Sequence, residues 1–222
     1  MKFSYVLSAF LATLAIASPI PSPESTDVAE LDVRASHGGK GGHGGKGGHG
    51  DPAPKIEETN AYKVAKKAMP ILHSLEKDHW YYFTLEWNRG SAPKDAETTK
   101  EIEEVRDELG FDHIGVVVGQ VKETTTGRGK NLKTKKDFVA TVVDMRKANA
   151  NPGNTKKIIE NYAPRSAEPK STKLKYEGKT TANKASRAKI SSNAQAYIDA
   201  HGIYNAKTNN CNDFAQAFLK TL

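Results

Sequence analysis

Two largely apolar segments, residues 111–119 and 138–145, constrain the fold of this chain most strongly. Both are short and rich in valine, a combination that favours extended strands over helices. A strand that is apolar along its whole length is typical of a sheet buried on both faces. The two segments therefore predict a central covered sheet, and the aromatic segment at residues 79–87 predicts a further strand.

Helical patterns alternate with these strands. They predict one helix capped by Asn60, one over residues 93–109 ending at Gly110, and one from Asn151 to Tyr162. Nearer the carboxyl end, the pattern predicts a short edge strand at residues 173–177 and a helix capped by Ser191 or Ser192 that ends at His201 and Gly202. We expect residues 59–222 to form a single α+β domain.

We expect the first 58 residues to lie outside this domain. Residues 1–17 combine one basic residue with a short apolar run that ends in Ala15-Ile-Ala17, which is typical of a secretory signal peptide. Residues 18–35 are acidic and contain proline, which predicts a disordered leader or propeptide. No later segment is long enough for a membrane span. We therefore expect a secreted, extracellular mature protein without a transmembrane segment.

Residues 36–58 begin with a six-residue repeat of glycine, histidine and lysine that is too polar to build a core. His37, His43 and His49 could hold a metal ion loosely. The alternative is a disordered, solvated linker, because ordering ligands in so glycine-rich a tract costs much conformational entropy. No cofactor is expected elsewhere.

The chain has a formal net charge of +7. An excess of positive charge favours anionic partners such as cell-wall polymers or membrane surfaces. Much of the excess lies in residues 122–136, which contain no aromatic residue. Without rings for base stacking, we expect no specific binding of nucleic acid.

Cys211 is the only cysteine. The apolar residues after it follow helical spacing, and Asn209 or Asn210 is suited to cap that helix, so Cys211 lies near its first turn. The positive end of a helix dipole stabilises a thiolate, which is the nucleophilic form of cysteine. A buried, inert cysteine is the alternative, because Cys211 also continues the apolar stripe.

A catalytic cysteine needs a base and a group that orients the base. His113 and His79 each begin a predicted strand. His113 is the better candidate for the base, because the end of a strand holds a side chain more rigidly than a loop does, and His79 stays open as the alternative. Asp144 is the polar residue in the next apolar strand, where a carboxylate is costly to bury without a partner. The alternative is that His113 and Asp144 have structural roles only.

The sequences His113-Ile-Gly-Val-Val-Val-Gly119 and Asn210-Cys-Asn-Asp-Phe214, in this order, resemble a known family. They look like the circularly permuted branch of the NlpC-type papain-like superfamily, which includes the lecithin retinol acyltransferase group and permuted deubiquitinase-like peptidases. The resemblance covers about residues 111–222. It implies a small papain-like α+β domain whose central, mainly antiparallel sheet is packed by helices.

The resemblance also implies roles for individual residues. Cys211 corresponds to the nucleophile, His113 to the base and Asp144 to the third polar member, while Asn210 and Phe214 flank the nucleophile. We therefore expect a secreted cysteine hydrolase or acyltransferase acting on an amide, ester or thioester of a peptide, lipid or acyl substrate. The alternative is a catalytically inactive secreted binding protein that attaches through its basic surface to cell-wall, lipid or host targets.

Overall fold

A six-stranded, mainly antiparallel sheet organises the residues that the computed structural model describes, which are 54–91, 99–148 and 153–222. The strands are β1 (Lys55–Glu58), β2 (Trp80–Asn88), β3 (Phe111–Thr126), β4 (Lys133–Lys147), β5 (Thr155–Asn161) and β6 (Thr172–Thr180). The order across the sheet is β1-β4-β3-β2-β6, and β5 also pairs with β4. Only the β1 and β4 pairing among these is parallel.

Five helices accompany the strands within the described ranges. They are α1 (Asn60–Ala68), α2 (Lys100–Leu109), α3 (Ala182–Ala185), α4 (Arg187–Ala200) and α5 (Cys211–Leu219). None of them is long and apolar enough to span a bilayer. The fold is therefore a mixed α and β structure in which helices pack on a mainly antiparallel sheet. The apolar segments predicted the central covered sheet.

Helices cover the central strands on both faces. On one face, α1 contributes Tyr62 and Ala65 to a core that includes Phe83 of β2 and Val117 of β3. On the other face, α4 and α5 pack against a second core containing Ile114, Val116 and Val118 of β3, and Val143 and Met145 of β4. The two cores explain why β3 and β4 are apolar at successive positions.

Residues 155–161 correct one prediction, because this segment forms β5 and not a helix. The apolar pair Ile158-Ile159 fits the spacing of a helix and that of a strand equally well. Pairing with β4, which places Ile159 opposite Val143, decides for the strand. A second difference concerns Lys55–Glu58, which the sequence placed in the linker. These residues form β1, an exposed strand whose partner is 78 positions away at Lys133–Lys136, and so distant a partner leaves no local signal.

The basic stretch at residues 122–136 is largely strand. Most of it extends β3 and β4 into a long hairpin that turns at residues 127–132. Lys136 forms an ion pair with Glu123 across this hairpin at 3.1 Å. Lys133 lies 4.0 Å from Glu57, and Lys135 lies 4.0 Å from Asp137. The acidic neighbours offset part of the positive charge of this region.

Gly119 allows β3 and β4 to approach closely. A Cβ atom at residue 119 would lie 2.8 Å from the carbonyl oxygen of Val139 and from Cα of Ala140. We expect Gly119→Ala to lower the free energy of unfolding by about 1–3 kcal/mol, because the backbone must move to admit a methyl group. Urea denaturation measures this loss. Gly202→Ala is the matched control, since its nearest contact would be 4.0 Å away, and an equally small effect of both would contradict the expectation.

Candidate active site

Cys211 is the first residue of α5, and Asn210 caps this helix. The side chain of Asn210 accepts hydrogen bonds from the N–H groups of Asn212 at 2.8 Å and Asp213 at 3.2 Å. Asp213 completes a capping box by accepting from the Asn210 N–H at 3.0 Å. Asn210 therefore fixes the start of the helix, while the N–H of Cys211 itself is left out of the cap.

Phe214 holds the other side of the helix. It is fully buried in the second core, where its ring contacts Tyr197 edge to face and stacks on Phe218. Cys211 is also buried, with 7% of its surface exposed. The two residues that flank the thiol in sequence thus have structural explanations, as helix cap and as core anchor.

His113 lies on β3 next to a β-bulge. Trp87 of β2 pairs with His113, whereas the following residue, Asn88, pairs with Phe111, so Asp112 is the extra residue of the bulge. Bulges re-aim neighbouring side chains and occur often beside active sites. The imidazole packs at 5.0 Å from the Trp87 ring, and only 5% of the surface of His113 is exposed. The bulge and the indole together orient His113.

Asp144 of β4 completes the cluster. Its Oδ2 atom lies 2.9 Å from Nε2 of His113, and the side chain is fully buried. Arg146 donates to the same oxygen from Nε at 3.1 Å and from a terminal nitrogen at 3.0 Å. Gly115 makes room for this arrangement, because a Cβ there would lie 3.1 Å from Cβ of Asp144. The engagement of Nε2 leaves Nδ1 as the nitrogen that can exchange a proton with Cys211.

The charges of the cluster favour an ion pair. Burial opposes protonation of His113, but the hydrogen bonds to Asp144 and Cys211 outweigh it and raise the pKa of His113 to about 9. Burial likewise raises the pKa of the Cys211 thiol, but contact with His113 and the N–H of Ile114 outweighs burial and brings this pKa below its ordinary value. Both shifts favour a thiolate beside an imidazolium over a neutral thiol and imidazole.

A narrow cleft leads to the sulfur. Its volume is about 40 Å³, which is room for a few water molecules. The positively charged side chains at the cleft are Arg106, Arg146 and Lys147. Its apolar wall includes Ile102, Val105, Leu109, Phe111 and Met145, contributed by α2, β3 and β4.

His79 does not belong to this cluster. Its ring is exposed, and Nε2 lies 3.3 Å from Glu76. Trp80, the next residue, pairs with Gln120, whereas His113 pairs with Trp87 at the other end of β2. At the rise of an extended strand these ends are separated by roughly 20 Å or more. Of the two histidines that the sequence left open, the structure brings only His113 to Cys211.

The possible metal ligands His37, His43 and His49 lie outside the described residues. Within residues 54–91, 99–148 and 153–222, no group of three or more histidine, cysteine or acidic side chains is arranged to hold a metal ion.

Sequence reasoning missed three residues at the site: Trp87, Arg146 and Tyr204. Trp87 was assigned to a strand, and its position opposite His113 depends on the strand register. Arg146 lies two residues after Asp144, a spacing that places both side chains on one face of a strand and was an available signal. Tyr204 lies in an irregular segment between α4 and α5, which carries no periodic signal.

Comparison with protein-family models, with curated proteins and with solved structures finds no match for this chain. The geometry of the site is therefore the basis on which its chemistry is inferred.

Proposed function

We propose that this protein is a cysteine-dependent hydrolase or acyltransferase of the permuted papain-like kind. One observation carries the proposal: buried His113 is hydrogen bonded to Asp144 and also contacts the thiol of Cys211 at the start of a helix. These are the three parts that activate a thiol nucleophile, namely a base, a group that orients the base, and a positive helix end. The mainly antiparallel sheet packed by helices supports the same assignment.

The reaction begins with attack by the Cys211 thiolate on the carbonyl carbon of an amide, ester or thioester. A sulfur–carbon bond forms, and the carbonyl electron pair moves to oxygen. When the intermediate collapses, the bond to the leaving group breaks and the leaving group takes the proton held by His113. A water molecule or a second acceptor then gives a proton back to His113 and attacks the thioester, which releases the thiolate. Asp144 keeps the imidazole in one orientation throughout.

The cleft favours a particular kind of acyl group. The apolar wall formed by α2, β3 and β4 suits a hydrophobic chain or side chain next to the carbonyl. Because the cleft is narrow, a substrate must displace side chains of the wall on entry. We propose that the reaction takes place outside the cell, since residues 1–17 have the pattern of a secretory signal.

Alkylation of Cys211 by iodoacetamide tests the proposal. The lowered pKa of the thiol means that the folded protein holds a larger fraction of thiolate near neutral pH than the unfolded chain does. We expect the folded protein to react faster than the unfolded chain by about tenfold or more. This advantage should shrink as the pH rises through the ordinary thiol pKa, because the unfolded thiol then ionises as well. Mass spectrometry gives both rates.

Two variants and one optical measurement control this experiment. His113→Ala should remove the advantage, whereas His79→Ala should keep it, because His79 lies at the far end of β2. The ultraviolet absorbance of the thiolate, taken as the difference between the wild type and Cys211→Ser, reports ionisation even if the reagent enters slowly. A thiol that ionises no earlier than in the unfolded chain would rule out the proposed function.

The alternative, an inactive binding protein, predicts different effects of mutation from those that the enzyme predicts. It requires that Cys211→Ser leave biological activity intact, while reversing the charges of Lys133, Lys135 and Lys136 abolishes it. All three lysines have acidic neighbours in the structure. For this reason the basic hairpin gives the alternative weaker support than the triad gives the enzyme.

A further inference from the structure

The segment between α4 and α5 is an ordered turn. Asn205 and Asn209 exchange two backbone hydrogen bonds, at 3.0 and 2.9 Å. The buried side chain of Asn209 donates to the carbonyl oxygens of His201 and Ile203 at 2.9 and 2.6 Å. It also accepts from the phenol of Tyr197 at 3.1 Å. Backbone hydrogen bonds between Asn205 and Asn209 and side-chain hydrogen bonds of Asn209 therefore fix the conformation of this turn.

This turn presents Tyr204 to the cleft. Its backbone N–H donates to the carbonyl oxygen of Gly153 at 2.8 Å, and its ring packs against the second core. Tyr204 and Cys211 line the same cleft and pack in the same core. The thiol and the backbone N–H of Cys211 both act on the pKa of the phenol, so the phenol lies close to both groups.

That position is where negative charge develops during attack on a carbonyl group. When sulfur bonds to the carbonyl carbon, the carbonyl oxygen becomes an anion near the N–H of the nucleophilic residue. The cap of α5 engages the N–H groups of Asn212 and Asp213 and leaves that of Cys211 to this role. A single N–H is a weak oxyanion site, and the phenol of Tyr204 is a further O–H group in the same cleft.

Tyr204 is suited to donate a hydrogen bond. Burial and the sulfur of Cys211 raise the pKa of its phenol above the ordinary value, so the group keeps its proton across the working range of a thiol enzyme. A protonated phenol beside a thiolate points its O–H at the nearest negative charge. During the reaction this charge moves from the sulfur to the carbonyl oxygen. The O–H group can point at the new position after it rotates and the ring shifts slightly.

We propose that the phenol of Tyr204 is a catalytic residue that, with the backbone N–H of Cys211, forms the oxyanion site of the enzyme. The inference rests on the proposed function and adds a residue to it. In the resting protein the phenol lies next to the Cys211 N–H. When a substrate binds, its carbonyl oxygen takes that N–H, and the phenol donates to the same oxygen.

The test compares Tyr204→Phe with the wild type on p-nitrophenyl butyrate, an activated ester with a short apolar acyl group. Removing one oxyanion donor is expected to lower kcat by roughly 10²–10³-fold with little change in KM. The rate of alkylation by iodoacetamide involves no oxyanion, so we expect it to change by less than about tenfold. A loss of turnover far larger than the loss of alkylation supports the proposal.

Tyr197→Phe is the matched control, because it removes a phenol hydroxyl that holds the same turn but does not reach the sulfur. It should keep most of the turnover. The inference would be overturned if both tyrosine variants lost turnover equally. It would also be overturned if Tyr204→Phe lost turnover and alkylation to the same extent, or if Tyr204→Phe kept its full turnover. Cys211→Ala separates this result from the proposed function: a wild type whose turnover does not exceed that of Cys211→Ala overturns both.

Discussion

Replacing Cys211 with alanine is expected to abolish ester turnover, lowering kcat by more than about 10³-fold, because the covalent intermediate can no longer form. The protein should remain folded. Cys211 packs in the second core beside Phe214 and Ala215, and removing one sulfur atom from a core costs less than about 2 kcal/mol. Hydrolysis of p-nitrophenyl butyrate and thermal unfolding measure the two quantities on the same sample.

Cys211→Ser is the matched control for size and polarity. A serine hydroxyl in this position is not ionised by His113, so the variant should be as inactive as the alanine variant while keeping the packing of α5. Turnover by either variant at the wild-type rate would show that the ester is cleaved elsewhere on the protein. A biological activity that survives in both variants would favour the secreted binding protein.

Replacing Asp144 with asparagine is expected to lower kcat by about 10²–10⁴-fold, because the amide cannot stabilise an imidazolium as a carboxylate does. The hydrogen bond and the charge of Asp144 help to raise the pKa of His113 to about 9. In the variant this pKa should fall, so the imidazole should lose its proton at a lower pH. Titration of the His113 ring by NMR and the pH profile of kcat/KM record the shift.

Asp137→Asn is the matched control, since Asp137 lies on the same strand and its carboxylate accepts a hydrogen bond from Thr59 at 2.7 Å, far from the thiol. The amide keeps an acceptor for this bond, so turnover and the pKa of His113 should stay at their wild-type values. If Asp144→Asn also leaves both unchanged, then Asp144 does not orient the base, and its contact with His113 is structural.

Asp144→Asn should also destabilise the protein. Oδ2 of Asp144 accepts from both His113 and Arg146, and Oδ1 has no hydrogen-bond partner within the described part of the chain. An amide at this position leaves a buried N–H₂ group unsatisfied and removes the charge that faces Arg146. Such a change costs about 1–3 kcal/mol.

The elements that carry the triad could be predicted because each has a strong local signal. Valine-rich segments identify β3 and β4, and a cap followed by apolar residues at helical spacing identifies α5, with Cys211 as its first residue. The sequence favoured His113 but could not decide against His79, because the choice depends on which end of β2 meets α5. That is a property of strand register, and local composition does not encode it.

Other features depend on contacts between distant residues. The bulge at Asp112 exists because Trp87 and Asn88 skip one position of β3. Residues 155–161 became a strand because the edge of β4 was free to pair with them. Tyr204 reaches Cys211 only through a turn stabilised by Asn209, an asparagine that the sequence offered merely as an alternative helix cap. Each of these arises from tertiary pairing that overrides local preference.

The chain order of the site has a consequence for biosynthesis. His113 and Asp144 belong to the sheet, whereas Cys211 lies on α5, which follows all six strands. A nascent chain emerging from the ribosome can pair its strands before the thiol-bearing segment has been translated. Because α5 also supplies part of the second core, the site and this core are completed by the same segment. A chain that lacks α5 would therefore lose both the thiol and the packing on one face of the sheet.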